Sequence, residues 1–218
     1  MSRNSPRIEA AVELLTEARL LADVGCDHGY FPIAAVKAGK AHGAIASDNK
    51  SSPLETARIH VAESGLSERI ACVLSEGLSH LSPEVDAVSL MGMGGLLIAA
   101  ILDRADLSAV KQLILGPNKD PSAVRLWLQT HGWKISAERF VRDHGHDYAL
   151  IACVPGDMSL SANEREYGPF ILKEKNPAFL SFLERKAALL EDALGSAEDP
   201  EKIRSLKERI HALREMIR

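Results

Sequence analysis

Seven consecutive residues, Asp23-Val24-Gly25-Cys26-Asp27-His28-Gly29, concentrate groups that could do chemistry. They follow a short apolar run from Leu20 and precede a helical stretch, Pro32 to Ala38. In a strand-to-helix turn of that kind a nucleotide-shaped ligand comes close to the backbone, and glycine permits the approach. The turn is not G-x-G-x-x-G, because Asp27 occupies the second glycine position. A carboxylate there repels a pyrophosphate resting on the helix N-terminus, so a dinucleotide is disfavoured. A ligand with an α-amino group tolerates that carboxylate or uses it. Asp48 closes the next apolar run, 23 residues after Gly25. An acidic residue at that place accepts hydrogen bonds from ribose hydroxyls.

Taken singly, each feature is as readily a tight turn or a capped strand end. In order on one α/β pattern, they indicate S-adenosyl-L-methionine (SAM) as the ligand and methyl transfer as the reaction. Two later loops sharpen this. Ser75-Glu76-Gly77 follows the third strand, where methyltransferases of this fold contact the adenine. Met91-Gly92-Met93-Gly94-Gly95 follows the fourth, the place of a substrate-facing motif. Its glycines could let a substrate ring lie against the backbone, beside flexible methionines. His144 and His146 flank a turn glycine and have no third ligand nearby, which favours a hairpin over a metal site.

The elements that must position these groups follow from periodicity. Ile8, Ala11, Val12, Leu14, Leu15 and Ala18 predict an amphipathic helix from Pro6 to Arg19. Strands are expected at Leu20–Gly25, Ala44–Asp48, Arg69–Leu74, Asp86–Met91 and Lys111–Leu115. Helices alternate with them: Ser52-Pro53-Leu54-Glu55 reads as a capping box, Leu96–Leu102 crosses the sheet, and another helix opens at Asp120-Pro121. Trp133–Val141 and Asp147–Val154 form a hairpin across Asp143-His144-Gly145-His146. This is a mostly parallel α/β sheet with an antiparallel terminal hairpin. Beyond Ser159 everything reads as helix, with Ile203, Leu206, Ile210, Leu213 and Ile217 at heptad spacing and a matching seam at Leu183, Ala187, Leu190 and Leu194. An antiparallel, coiled-coil-like helical hairpin is expected there. The domains are therefore 1–158 and 159–218.

The 218 residues are 46% hydrophobic and 26% charged with net charge −4, so no overall basic field points to nucleic acid. The first 158 residues carry 15 basic and 19 acidic groups and the last 60 carry 11 of each, which leaves only a local basic stripe on the C-terminal helices. Cys26, Cys72 and Cys153 form no C-x-x-C pair, which excludes a disulfide scaffold and disfavours a cysteine zinc site. Without an apolar signal core or a long apolar span, a cytoplasmic location with no membrane and no metal is expected.

Asp23-Val-Gly-Cys-Asp-His-Gly-Tyr30-Phe-Pro32, Gly92-Met-Gly-Gly95, Pro117-Asn118 and Tyr167-Gly-Pro169 occur in order, and with them the sequence resembles the TrmK family, bacterial tRNA (adenine-22-N1)-methyltransferases. The resemblance covers nearly the whole chain. It implies a Rossmann-like class I methyltransferase domain followed by a helical C-terminal domain. It also implies SAM against Asp23, Gly25, Asp27, Asp48, Asn49, Glu76, Gly77, Met91 and Gly92, and Asp27, His28, Tyr30 and Asn118 around the methyl group and target base. Two departures stand out: Gly116-Pro117-Asn118 where the family often has Gln-Pro-Asn, and Gly29 where alanine is common.

The expected chemistry is methylation of adenine N1 in tRNA. Asp27 or Asn118 would accept a hydrogen bond from the exocyclic amine and Tyr30 would stack on the base. His28 would orient Asp27, touch the substrate or merely cap a helix. A monomer or weak homodimer is expected. The competing readings are a SAM methyltransferase for another RNA or a small molecule, and a non-catalytic SAM- or RNA-binding protein.

Overall fold

The computed structural model describes residues 5–79 and 81–218. It divides into two compact units, the first ending at Pro169 and the second spanning Phe170–Arg218.

The first unit is built on one seven-stranded sheet: β1 (Ala18–Val24), β2 (Ala41–Asp48), β3 (Ile70–Leu74), β4 (Ala87–Met91), β5 (Gln112–Gly116), β6 (Trp133–Asp143) and β7 (His146–Pro155), in the order β3-β2-β1-β4-β5-β7-β6. The first five strands pair in parallel, while β7 runs antiparallel to both β5 and β6. Every residue of β4 and β5 is buried, because helices cover both faces. On one side α1 (Pro6–Leu14), α2 (Tyr30–Lys37) and α3 (Ser51–Glu63) bring Ile8, Phe31 and Leu54 onto Leu21, Ala44 and Ile114. On the other, α4 (Gly95–Leu102) and α5 (Pro121–Thr130) pack Ile98, Val124 and Leu128 against Val88, Leu90 and Leu113. Neighbouring strand residues alternate between these two cores, the period of two that a pleated strand imposes.

The expected mostly parallel sheet with an antiparallel hairpin is present. Its turn is a two-residue one, with His144 at φ 47° and Gly145 at φ 83°, and positive φ at both central residues matches the twist of the flanking strands. The chain progresses from β1 through β2 to β3 in one direction, then returns to β4 and β5 on the other side of β1. Ligands of such sheets bind beyond the strands' carboxyl ends at that reversal.

Two local expectations are corrected. The first helix ends at Leu14, not Arg19, because a distant side chain takes over its terminus. Gln112 Nε2 donates to the Leu14 carbonyl at 3.1 Å, and Gln112 Oε1 accepts from Thr16 N and Oγ1 at 2.9 and 3.0 Å. The capping box at Ser52 does not form. The helix already starts at Ser51 with Lys50 as its cap residue and no side-chain cap bond, while Asp48 Oδ1 accepts from Lys50 N.

The segment past Ser159 docks onto the first unit before the second begins. Its helix α6 (Ala162–Tyr167) opens with a Ser161–Glu164 capping box. Arg125, fully buried, pairs at 2.8 Å with the fully buried Glu138 and donates to the carbonyls of Arg165, Glu166 and Tyr167. The compact units therefore part at Pro169, later in the chain than the composition change at Ser159. Helix α7 (Pro169–Glu174) follows. In the second unit α8 (Pro177–Gly195) and α9 (Pro200–Ile217) pack together, burying Leu183, Ala187, Leu206 and Leu213, with Arg214 and Glu191 paired at 2.7 Å. Asn176 and Asp199 cap their N-termini through their side chains. No helix among the described residues is long and apolar enough to cross a membrane.

Candidate active site

The loops after the strands are stitched together at the carboxyl edge of the sheet. The Ser47 carbonyl accepts from both Gly25 N and Cys26 N at 2.9 Å, tying the turn after β1 to β2. Ser75 N donates to the Asp48 carbonyl, tying the exit of β3 to β2 in turn. Within the first turn Asp27 is held at φ 50°, an uncommon setting for a residue with a Cβ. Across the reversal, Asn118 holds the loop after β4: its Nδ2 donates to the Gly92 carbonyl at 2.6 Å and its backbone N to the Met93 carbonyl at 2.9 Å.

These loops enclose a cleft of about 880 Å³. Asp23, Gly25 and Asp27 line it from β1, Asp48 and Asn49 from β2, Glu76 and Gly77 from β3, and Met91 and Gly92 from β4. All nine residues named for the cofactor thus face one space, in an order set by the strand order. A second cleft, of about 1270 Å³, lies between α1, α2, α3 and the β6–β7 turn. Arg7, Ile8, Asp27 and Tyr30 line both.

The four groups named for the chemistry are placed differently. Asp27 and Tyr30 stand on the shared rim. His28 is beside them, its Nε2 3.6 Å from Asp27 Oδ1 and its ring 5.5 Å from that of Tyr30. Asn118 lies outside both linings and supports the wall through Gly92. Sequence reasoning missed Arg7 and His60. The His60 ring stacks on Tyr30 at 5.2 Å, and its Nδ1 meets the His28 carbonyl at 2.9 Å. Neither carried a signal, since both sit on helix faces that read as ordinary solvated surface.

Electrostatically, Asp23 is the unusual group. Burial pushes its carboxyl from an ordinary 3.8 up to about 7, the nearby Asp48 adds to this, and the Ser89 hydroxyl that donates to Asp23 Oδ1 and the Arg7 charge oppose it. A buried carboxylate whose charge is this poorly compensated is suited to meet a cationic ligand group. Burial raises the Cys26 thiol far above its ordinary range, so it is no nucleophile. Among the described residues, no group of three or more His, Cys, Asp or Glu is placed to hold a metal ion.

The Gly-Met-Gly-Gly run serves the chain itself as well as the cleft. A Cβ on Gly95 would lie 2.1 Å from the Asp120 carbonyl oxygen, and Gly95 N donates to the Lys119 carbonyl at 2.9 Å. At Gly95 the close approach is made by the loop after β5. Gly95→Ala is expected to destabilise the protein by about 1–3 kcal/mol, read as a lower midpoint in urea unfolding.

Residues 21–215 match the model of the family described as TrmK, tRNA (adenine(22)-N(1))-methyltransferase. The tRNA (adenine(22)-N(1))-methyltransferase of Bacillus subtilis is 33% identical, over 98% of this chain and 96% of its own. A Streptococcus pneumoniae protein solved in complex with SAM is 35% identical with TM-score 0.88, covering 97% of this chain and 98% of that one. Mycoplasma capricolum TrmK, solved with S-adenosyl-homocysteine, is 29% identical with TM-score 0.84 over 98% of this chain and 97% of that one.

Proposed function

The chain belongs to the TrmK family, the tRNA (adenine(22)-N(1))-methyltransferases, and from that premise we propose how its two clefts divide the reaction. It is a SAM-dependent enzyme that methylates N1 of an adenine in tRNA. The residues present fit the cofactor. A carboxylate ends β2 for the ribose, Glu76 and Gly77 stand beyond it for the adenine, and acidic side chains rather than a phosphate cradle occupy the turn after β1. When bound, SAM supplies an electrophilic methyl group on a sulfonium.

Adenine N1 is already a lone-pair nucleophile, so the protein's task is alignment more than proton removal. Alignment of this kind is worth on the order of 7–11 kcal/mol in well-oriented systems. N1 lies on the pairing edge, so the base enters unpaired or flipped out of its stack. The observation that carries the proposal is that Asp27 and Tyr30 line both clefts. The base rests on the Tyr30 ring, which His60 backs from behind. The Asp27 carboxylate accepts from the exocyclic amine and offsets the positive charge that methylation leaves on the ring. His28 steers Asp27, and Asn118 acts as a positioning residue through the Gly92 carbonyl.

The same proposal sets position 22 of the D-loop as the target and has the enzyme cytoplasmic, as a monomer or weak homodimer. The C-terminal helices form its RNA-holding domain, with Arg204, Lys207 and Arg209 exposed on α9. The test is methyl incorporation from labelled SAM into unmodified tRNA, followed by nucleoside analysis. A labelled 1-methyladenosine peak is expected. SAM binding with no labelled tRNA would overturn the substrate assignment and leave the cofactor site standing.

A further inference from the structure

Gly25, Asp27 and Gly29 take positive φ, at 71°, 50° and 72°, so the turn after β1 has no regular ladder of hydrogen bonds to hold it. Its first half is tied to the Ser47 carbonyl. In its second half the His28 carbonyl gets no N–H from Pro32, four residues on, because proline has none. The His60 ring on α3 supplies the donor, with its Nδ1 2.9 Å from that carbonyl. A carbonyl only accepts, so this Nδ1 carries a proton. One helical turn earlier on α3, Ala57 packs against Gly29, where an added Cβ would lie 3.3 Å from the Ala57 Cβ. Helix α3 therefore grips the turn at two successive residues. The His28 ring adds no hold through its own Nδ1, which is buried without a partner among the described residues.

The same imidazole is stacked on Tyr30, with ring centroids 5.2 Å apart and planes 20° from parallel. The His28 ring completes the cluster, tilted 53° to Tyr30 at 5.5 Å and 58° to His60 at 6.0 Å. Tyr30 is 40% exposed, and a ring that open to water samples several rotamers unless a neighbour selects one. His60 thus bears at once on the ring that receives the base and on the backbone beside the Asp27 acceptor. All three side chains line the larger cleft, and His60 stays outside the smaller one.

We propose that His60 is a positioning residue of the methyl transfer. Its ring face fixes the plane of Tyr30 and its Nδ1–H fixes the turn at His28. The stacking platform and the Asp27 acceptor are thereby set against the adenine together. This role rests on the reading of Tyr30 and Asp27 given above, and it leaves the cofactor untouched.

The test is steady-state and single-turnover methylation of unmodified tRNA by full-length His60 variants, beside calorimetric binding of S-adenosylhomocysteine. His60→Phe keeps a ring against Tyr30 and loses the donor. It should lower the single-turnover rate at saturating tRNA by about 3- to 10-fold with KM little changed, the worth of one hydrogen bond. His60→Asn keeps a donor and loses the ring, and should raise KM for tRNA by about 3- to 10-fold, the worth of one aromatic pair. His60→Ala loses both and should lower kcat/KM by about 10- to 100-fold. S-adenosylhomocysteine affinity should stay within about twofold in all three, because separate sites couple weakly. With Tyr30→Ala already present, His60→Asn should have almost no further effect, the non-additivity of residues in contact. Wild-type kinetics in His60→Ala would overturn the role, and so would effects that simply add to those of Tyr30→Ala. A loss of S-adenosylhomocysteine binding in step with the rate would also overturn it, since His60 would then act through the cofactor or the fold. A wild type that methylates no tRNA would overturn the substrate reading and this role with it, a result told apart because it needs no variant.

Discussion

Replacing Asp27 with alanine is expected to lower kcat for tRNA methylation by about 10²- to 10³-fold while SAM affinity stays within about twofold. The magnitude is that of removing one group aimed at charge that develops only in the transition state. Asp27 stands on the rim between the clefts with its side chain 70% exposed, so the empty protein holds it in water and it acts at full strength only once a base covers it. Its left-handed backbone makes Asp27→Asn the better-tolerated companion, since asparagine adopts that conformation readily. Asparagine keeps an acceptor for the exocyclic amine and loses the charge, so it should fall between wild type and alanine. Single-turnover rates with saturating SAM, alongside SAM binding by calorimetry, separate the two roles. If SAM affinity falls in step with the rate, Asp27 belongs to the cofactor and not to the base.

Asp23→Asn should move affinity and stability in opposite directions. The native carboxyl has its pKa raised from 3.8 to about 7, so the folded protein holds a proton that the unfolded chain has released. Stability therefore falls as pH rises from about 4 to about 7, and above 7 the full deficit, on the order of 4 kcal/mol, remains. Asparagine removes that deficit but buries an amide whose N–H groups lack a partner, at a cost of about 1–3 kcal/mol. The net expectation at pH 8 is a ligand-free protein more stable by about 1–3 kcal/mol, seen as a Tm higher by about 2–4 °C for each kcal/mol. SAM affinity should fall by at least about 100-fold, because a buried carboxylate suited to a cationic ligand group is replaced by an uncharged amide. In the wild type that affinity should drop about tenfold per pH unit below 7, as the proton must leave Asp23 first, and the Asn variant should be flat there. A variant that binds SAM normally, or melts below wild type at pH 8, would contradict this account of Asp23.

The sequence displayed the cofactor cleft well because its groups are carried by short-range patterns. Each lies within a few residues of a strand end, and apolar runs with glycine punctuation mark those ends: Asp23 after Leu20–Ala22, Asp48 after Ala44–Ala46, Glu76 after Ile70–Leu74. The β6–β7 hairpin was equally legible from its His-Gly turn. What stayed hidden depends on partners far along the chain. Nothing near Leu14 announces that Gln112 ends the helix, since the bond spans a sequence separation of 98. Arg125 and Glu138 belong to no motif and lie on different elements, yet both are fully buried and pair with each other. Arg7 and His60 likewise belong to no sequence motif. Their roles arise only when α1 crosses to the β7 edge and α3 closes over α2. Local periodicity has no access to either event.

The clamp on α1 also bears on the order in which the protein can come into being. The helix carrying Arg7 precedes both of its partners in the chain. Its end is set by Gln112, and Tyr148, which orients Arg7, comes later still. At about 5–20 residues per second, the first helix waits on the order of ten seconds for its partners to be made. A newborn chain can thus assemble β1 to β4 and the strand-end loops of its cleft while α1 is still undocked. On this schedule the α1 wall that the two clefts share is completed only when the terminal hairpin arrives.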